Sequence, residues 1–201
     1  MHLIEKSSGS VFYKGNDVSV LNGSELFDFR KKVQLIFQDP YSSLNPNHTI
    51  GQAILEPMIV HKIHANNSAR NSKTLELMDL TGLKRDWFTR YPHQLSGGQR
   101  QRVVIARALA LEPELIICDE SVSALDVSIQ AQILNLLNLL KLQLNLTYIF
   151  ISHDLSVVKY ISDRIVVLKN GEIIEEAEAD MLCNNPKSDY TKNLIGAAFQ
   201  S

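Results

Sequence analysis

The hydrophobic pattern of the first half of the chain predicts strands, a loop and then helices. Apolar residues that alternate around Gly15-Asn16-Asp17 predict two strands joined by a turn between Gly9 and Val20. A further strand is predicted from Lys32 to Phe37. A proline- and asparagine-rich loop from Pro40 to Pro46 follows and is the predicted internal boundary. From Ile50 to Leu83 apolar residues recur at helical spacing, which predicts a small helical subdomain.

In the second half of the chain, segments with the hydrophobic pattern of a strand alternate with segments that have the pattern of a helix. The predicted elements are a helix that begins at Ser96 and stops before Pro113, a strand at Leu115–Cys118, a helix at Ser128–Asn145, a strand at Thr147–Ser152, a helix at Leu155–Ile161, and a strand at Asp163–Lys169 that Asn170-Gly171 turns into a hairpin with Ile173-Ile174. Alternating strands and helices predict an α/β fold, with a mainly parallel sheet that carries helices on both faces.

Composition narrows the class of protein. A net charge of −2 gives no electrostatic reason to expect a nucleic-acid partner. No apolar stretch approaches the roughly 18 residues that span a bilayer, so we expect a soluble protein. The two cysteines do not suggest a disulfide framework, and Cys118 lies in an apolar run where we expect it to be buried.

Two stretches carry candidate chemistry. The apolar run ending in Asp119-Glu120 predicts two carboxylates at the C-terminal end of a buried strand. One acid can hold Mg²⁺, and its neighbour can orient or deprotonate an attacking water, although the same pattern also fits a strand that simply ends in a solvated turn. Ser96-Gly97-Gly98 at a helix start predicts an anion site, because the hydroxyl, the exposed N–H groups and the helix dipole converge there.

The string Leu95-Ser96-Gly97-Gly98-Gln99, followed by Arg100-Gln101-Arg102, resembles the signature motif of ATP-binding-cassette (ABC) ATPases. That resemblance implies ATP and Mg²⁺ as ligands and a P-loop-NTPase-like fold with a helical subdomain. It implies the following roles: Gln38 (the Q-loop glutamine) and Asp119 at Mg²⁺, Glu120 as general base, His153 at the terminal phosphate, Ser96, Gly97, Gly98 and Gln99 at the ATP of the other subunit, and Asp126 in the D-loop Ser123–Asp126.

Longer stretches narrow the resemblance to a subfamily. The segments Phe37–Pro46, Tyr91–Arg102, Ser123–Gln132 and Asp189–Thr191 look like those of ATP-binding subunits of oligopeptide and dipeptide importers. The resemblance implies a peripheral subunit at the cytoplasmic face of the cell membrane, which energises peptide import. Its implied partners are a second ATPase subunit, transmembrane permease subunits and, indirectly, an extracytoplasmic solute-binding protein.

The chain departs from the family pattern in two places. It contains no Gly-x-x-x-x-Gly-Lys-Ser/Thr loop, and Ser121 stands where the family usually has proline. The resemblance places the end of the P-loop unit near Met1–Leu3, so that unit is expected to be missing. Its loss is expected to uncover apolar sheet surface near Val33–Phe37 and Ile149–Ile151. The implied domains are residues 1–46 and 97–176 of the ATPase core, a helical subdomain at 47–96, and a C-terminal extension at 177–201.

Three alternatives were weighed against this interpretation. A non-catalytic fragment that offers only its signature face to a complete partner stays open. A chromosome-maintenance or DNA-repair ATPase is disfavoured, because only 57 positions separate Gln38 from Leu95, which leaves no room for long coiled coils. His61 and His64 have helical spacing and could hold a metal, but no third ligand is placed to complete the site.

Overall fold

A computed structural model describes residues 7–199, so the front of the family resemblance at Met1–Leu3 lies outside the described residues. The chain divides between Ile149 and Phe150 into two compact units. The strands are β1 (Phe12–Tyr13), β2 (Asn16–Asp17), β3 (Val33–Ile36), β4 (Leu115–Asp119), β5 (Thr147–Ile151), β6 (Arg164–Lys169) and β7 (Glu172–Glu178). The helices are α1 (Gly23–Lys32), α2 (Ile50–Val60), α3 (Asn67–Leu80), α4 (Gly97–Leu109), α5 (Val127–Leu144), α6 (Leu155–Ile161), α7 (Ala179–Asn184) and α8 (Asp189–Phe199).

The first unit is built on a sheet in the order β3-β4-β5. Strands β3 and β4 run parallel, in a register that pairs Val33 with Leu115 and Ile36 with Cys118. The predicted parallel pairing is therefore confirmed. Because parallel strands end at the same edge, the residues that follow β3 and β4 are brought together there.

The apolar residues of this sheet are unevenly covered. Val33 and Ile36 are at most 1% exposed, since both α1 and α4 contact β3. Ile149 and Ile151 of β5 are nearly half exposed, as is Phe37 just beyond β3. The expected uncovered apolar surface is therefore present at β5 and Phe37. The expectation was wrong for Val33 and Ile36.

The sequence pattern failed most clearly before β3. A hairpin does form there, but its second strand β2 lies within the predicted turn, and both strands are only two residues long. Val18–Val20, expected in a strand, forms a 3₁₀ turn in which the Asp17 carboxylate accepts a hydrogen bond from the Ser19 amide. Helix α1 was not predicted, because it buries no residue and therefore shows no apolar stripe.

Several of the predicted helices have identifiable caps at one end. Thr49 and Gln52 form a reciprocal capping box at the start of α2, and the Asn66 side chain caps α3. Helix α5 ends at Asn145, whose left-handed backbone is a common way to stop a helix. Leu144, in the last turn of α5, is 43% exposed.

The second unit contains β6, β7 and three helices. Asn170 and Gly171, both with positive φ, make the predicted two-residue hairpin turn, although β7 extends further than the predicted Ile173-Ile174. Ile165 and Val167 pack against Leu182 of α7 in a small core. Helices α7 and α8 were not predicted. None of the helices in the described part of the chain is long and apolar enough to cross a membrane.

Helices α4 and α5 meet at the two glycines that begin α4. A Cβ on Gly98 would overlap Cγ2 of Ile129, so a side chain there is excluded by contact with α5. A Cβ on Gly97 would lie 3.6 Å from Cδ2 of Leu125, which is an ordinary van der Waals distance. The start of α4 is therefore held against the segment that precedes and begins α5.

This packing predicts different effects for two neighbouring substitutions. Gly98→Ala is expected to lower the free energy of unfolding by about 1–3 kcal/mol, because the added methyl group overpacks the contact with Ile129. Gly97→Ala should leave it unchanged or raise it by up to about 1 kcal/mol, since alanine favours the helix. Urea unfolding measures both. Equal effects would show that the helices are not in close contact at Gly98.

The uneven cover of the sheet predicts a second contrast. Ile116→Thr is expected to lower the free energy of unfolding by about 2–4 kcal/mol, because Ile116 is fully buried and the new hydroxyl must leave water. Ile149→Thr, on the neighbouring strand, should change it by less than about 0.5 kcal/mol. A large loss of stability in the Ile149 variant would contradict the exposed position of that side chain.

Candidate functional site

The two predicted carboxylates lie at the end of a buried strand. Asp119 is the last residue of β4 and is exposed, and Glu120 follows it half-buried. Glu120 has a left-handed backbone with φ of 45°, and its carbonyl accepts hydrogen bonds from the Ser123 amide at 3.1 Å and the Ser123 hydroxyl at 2.9 Å. These bonds hold a tight turn that presents both acids at the sheet edge.

Ser121, which departs from the family pattern, is buried within this turn at 2% exposed. It directly follows Glu120, whose backbone is left-handed. The departure therefore lies next to the candidate general base.

Cys118 has the structural role expected of it. It is fully buried on β4, and burial raises the pKa of its thiol to about 12. The thiol is therefore protonated at neutral pH.

Gln38 lies beside the turn that holds the acids. It follows β3, and its Nε2 lies 3.4 Å from the hydroxyl of Ser123, with the side-chain amide as donor. Gln38 and Asp119 line one open cavity of about 600 Å³, together with Asp39, Ser42, Ser43 and Arg107. The structure therefore brings Gln38 and the acidic pair together, as the parallel strands require.

Two oxygen donors at this cavity could form part of the coordination shell of a Mg²⁺ ion. The Asp119 carboxylate and the Gln38 amide oxygen are hard donors of the kind that Mg²⁺ prefers. Asp39 is already engaged: its carboxylate accepts hydrogen bonds from the amides of Tyr41 and Ser42, which lowers its pKa. No group of three metal-ligating side chains occurs among residues 7–199, so water or ligand oxygens would complete such a shell. His61 and His64, which were not expected to form a metal site, belong to no such group, and the His61 ring stacks on Phe27 at 4.0 Å between ring centres.

The predicted anion site begins α4, as expected. Ser96 is the N-cap: its hydroxyl accepts a hydrogen bond from the Gln99 amide, and the Gln99 side chain accepts one from the Ser96 amide at 3.0 Å. The Gln99 side chain is thus used within the cap. The amides of Gly97 and Gly98 lie in the first turn, where N–H groups have no acceptor inside the helix.

The structure does not bring this anion site to the cavity. Arg107 lines the cavity, and it lies eleven positions after Ser96, about 16 Å along the helix at about 1.5 Å per residue. Asp126, predicted to lie in the D-loop, is exposed at the start of α5, next to Leu125, which packs near Gly97. One chain therefore presents two separated sets of candidate residues.

His153 lies in the second unit. It is exposed between β5 and α6, where Asp154 caps the helix by accepting hydrogen bonds from the amides of Ser156 and Val157. Its role at the terminal phosphate stays a prediction.

Sequence reasoning missed Arg107 as a member of the cavity wall. The only hint in the sequence was that Arg107 interrupts the apolar run from Val103 to Leu111. A charged residue in such a run is also expected wherever a helix position is partly exposed, so this hint did not point to a cavity.

Comparisons with known proteins show the family of this chain. A family model described as ABC transporter matches residues 1–123. The chain is 50% identical over 197 residues to the oligopeptide transport ATP-binding protein OppF of Streptococcus mutans, covering 98% of this chain and 64% of that protein. It is 47% identical over 191 residues to the dipeptide transport ATP-binding protein DppF of Lactococcus lactis, covering 95% and 61%. The chain thus spans less than two thirds of either relative.

A solved structure shows the same architecture. The ATP-binding cassette MJ0796, described as a dimer in a post-hydrolysis state bound to ADP and Pi, matches with a TM-score of 0.76 and 32% identity. The match covers 88% of this chain and 76% of that one. With the acidic pair, the neighbouring glutamine and the capped serine-glycine helix in place, the chain belongs to the ABC transporter family and has the fold of an ATP-binding cassette.

Proposed function

We propose that this chain is an ATP-binding subunit that hydrolyses ATP in a site shared with a second subunit and so energises peptide import. The main observation behind this proposal is that the acidic pair with Gln38 and the start of α4 lie apart in the chain's structure. Gln38 and Asp119 line one cavity and Glu120 follows Asp119 directly, whereas Ser96 begins α4 about 16 Å along the helix from Arg107 of the cavity wall. Two sets that face different places suit a dimer in which each nucleotide contacts the acids of one subunit and the helix start of the other.

The candidate catalytic residues have complementary proposed roles. Gln38 and Asp119 would hold Mg²⁺, which when bound neutralises phosphate charge. Glu120 is the proposed base for the attacking water, since its carboxylate follows directly after Asp119 on a turn that Ser123 holds. His153 is the proposed contact to the terminal phosphate.

The start of α4 is proposed to bind the nucleotide of the partner subunit. The Ser96 hydroxyl and the first-turn amides of Gly97 and Gly98 supply hydrogen bonds to phosphate oxygens, and the helix dipole adds a favourable field. Asp126 would lie at the same interface.

The peptide assignment and the membrane partners come from the relatives. OppF and DppF are named as oligopeptide and dipeptide transport ATP-binding proteins. On this basis we propose that the chain acts at the cytoplasmic face of the cell membrane with transmembrane permease subunits. The segment 40–46 and the helical region 47–96 are the proposed contacts to those subunits. The division into residues 1–46, 47–96, 97–176 and 177–201 is likewise proposed.

The test is ATP turnover by the purified chain mixed with full-length OppF of Streptococcus mutans as the second subunit. OppF carries its own Glu→Gln change at the matching position, so that it contributes no base. Glu120→Gln in this chain is expected to lower kcat by about 100-fold or more, because the water loses its general base, while ATP binding persists.

Glu172→Gln is the matched control, because Glu172 is an exposed carboxylate on β7. It should leave turnover unchanged. Turnover that is equal in the Glu120 and Glu172 variants would contradict the proposed role of Glu120. A mixture without measurable turnover would contradict the catalytic assignment as a whole.

A further inference from the structure

Three arginines of α4 each donate a hydrogen bond to a main-chain carbonyl outside the helix. Arg100 Nε donates to the Pro92 carbonyl at 2.7 Å, and Arg102 Nη1 donates to the Thr81 carbonyl at 2.8 Å. Arg107 Nη1 donates to the carbonyl of Ser43. Removing a guanidinium from water raises the free energy of the folded state unless its N–H groups donate hydrogen bonds to protein acceptors. Each arginine is therefore held near the carbonyl that accepts its hydrogen bond.

Two of these arginines contact the segment that follows Gln38. Arg107 reaches Ser43, and the guanidinium carbon of Arg100 lies 3.7 Å from the centre of the Tyr41 ring. Seven residues separate the two arginines, which is about two helical turns and places them on the same face of α4. Burial lowers the pKa of Arg107, which is a sign of its partial removal from water.

The contacted segment, residues 39–44, is internally bonded. The Asp39 carboxylate accepts hydrogen bonds from the amides of Tyr41 at 2.8 Å and Ser42 at 3.2 Å. The Ser43 hydroxyl donates to the Asp39 carbonyl at 2.8 Å, and Leu44 is 3% exposed. Such a turn moves as one body, so contacts at Tyr41 and Ser43 fix the position of the whole segment.

We propose that Arg100 and Arg107 are positioning residues that fasten segment 39–44 to α4 and thereby set the place of Gln38. Gln38 is joined directly to this segment, and its side chain reaches Ser123 in the turn that carries Glu120. A displacement of the segment is then transmitted to α4, whose first turn carries Ser96. The consequence for turnover rests on the proposed function, whereas the fastening itself does not.

The first test is amide hydrogen exchange of the purified chain, followed by mass spectrometry. Arg107→Met is expected to speed exchange in residues 39–44 at least tenfold, because the segment loses its hydrogen bond to α4. Arg102→Met is the matched control: it removes the same charge from the same helix, but its partner Thr81 lies outside the segment. Unchanged exchange in the Arg107 variant, or an equal increase in both variants, would overturn the proposal.

A second pair of variants avoids any effect on the core. Tyr41 is 59% exposed, so Tyr41→Leu removes the ring beneath Arg100 without disturbing packing. We expect about a two- to fivefold increase in exchange of the segment, as befits an exposed cation–π contact. Tyr41→Phe keeps the ring and should match the natural chain. If the leucine variant behaves like the phenylalanine variant, Arg100 has no part in the fastening.

The functional arm uses the mixture with OppF described above. Arg107→Met should lower kcat at least tenfold and change the KM for ATP less than twofold, since Gln38 acts on the water and the metal rather than on nucleotide binding. Arg107→Lys should recover part of the loss, and Arg102→Met should retain turnover. Equal turnover in Arg107→Met and Arg102→Met would overturn the coupling. Loss of the Glu120 effect would instead overturn the proposed function and leave the exchange result standing.

Discussion

The parallel pairing of β3 with β4 is the constraint on which the candidate site depends. Its register places Ile36 beside Cys118, so the chain leaves both strands at the same edge. Gln38 and Asp119 follow within two residues of that pair, and both line the same cavity. Because a one-residue slip in a strand reverses the faces of its side chains, the burial of Ile36 and Cys118 holds the polar residues in place.

Helix α4 is the second organising element, because it reaches several parts of the first unit at once. Its first turn packs against α5 through Gly98, and its arginines reach the carbonyls of Thr81, Pro92 and Ser43. A capped, largely buried helix is stiff, so groups attached along it keep their relative positions. The helix therefore connects Ser96 at its first turn with Arg107, which lines the cavity that holds Gln38 and Asp119.

Much of the secondary structure could be predicted from local pattern, and the failures have a common cause. Helix α6 was predicted at its observed bounds, and the predicted Ser96 cap of α4 is present, because periodicity and capping are local properties. Helix α1 and the turn at Val18–Val20 were missed. Neither has a local signal: α1 buries no residue, and a two-residue hairpin before the turn supplies too few positions to set a period.

The sequence by itself determined the family and named the candidate site residues. Asp119-Glu120, Gln38 and Ser96–Gly98 stand out because their types and their order resemble the motifs of that family. Only the tertiary structure decided which of them lie together, since Gln38 meets the turn after β4 through strand pairing across 85 positions of chain. It alone also decided that Arg107 reaches Ser43, because a contact between distant segments depends on packing that leaves no periodic trace in either segment.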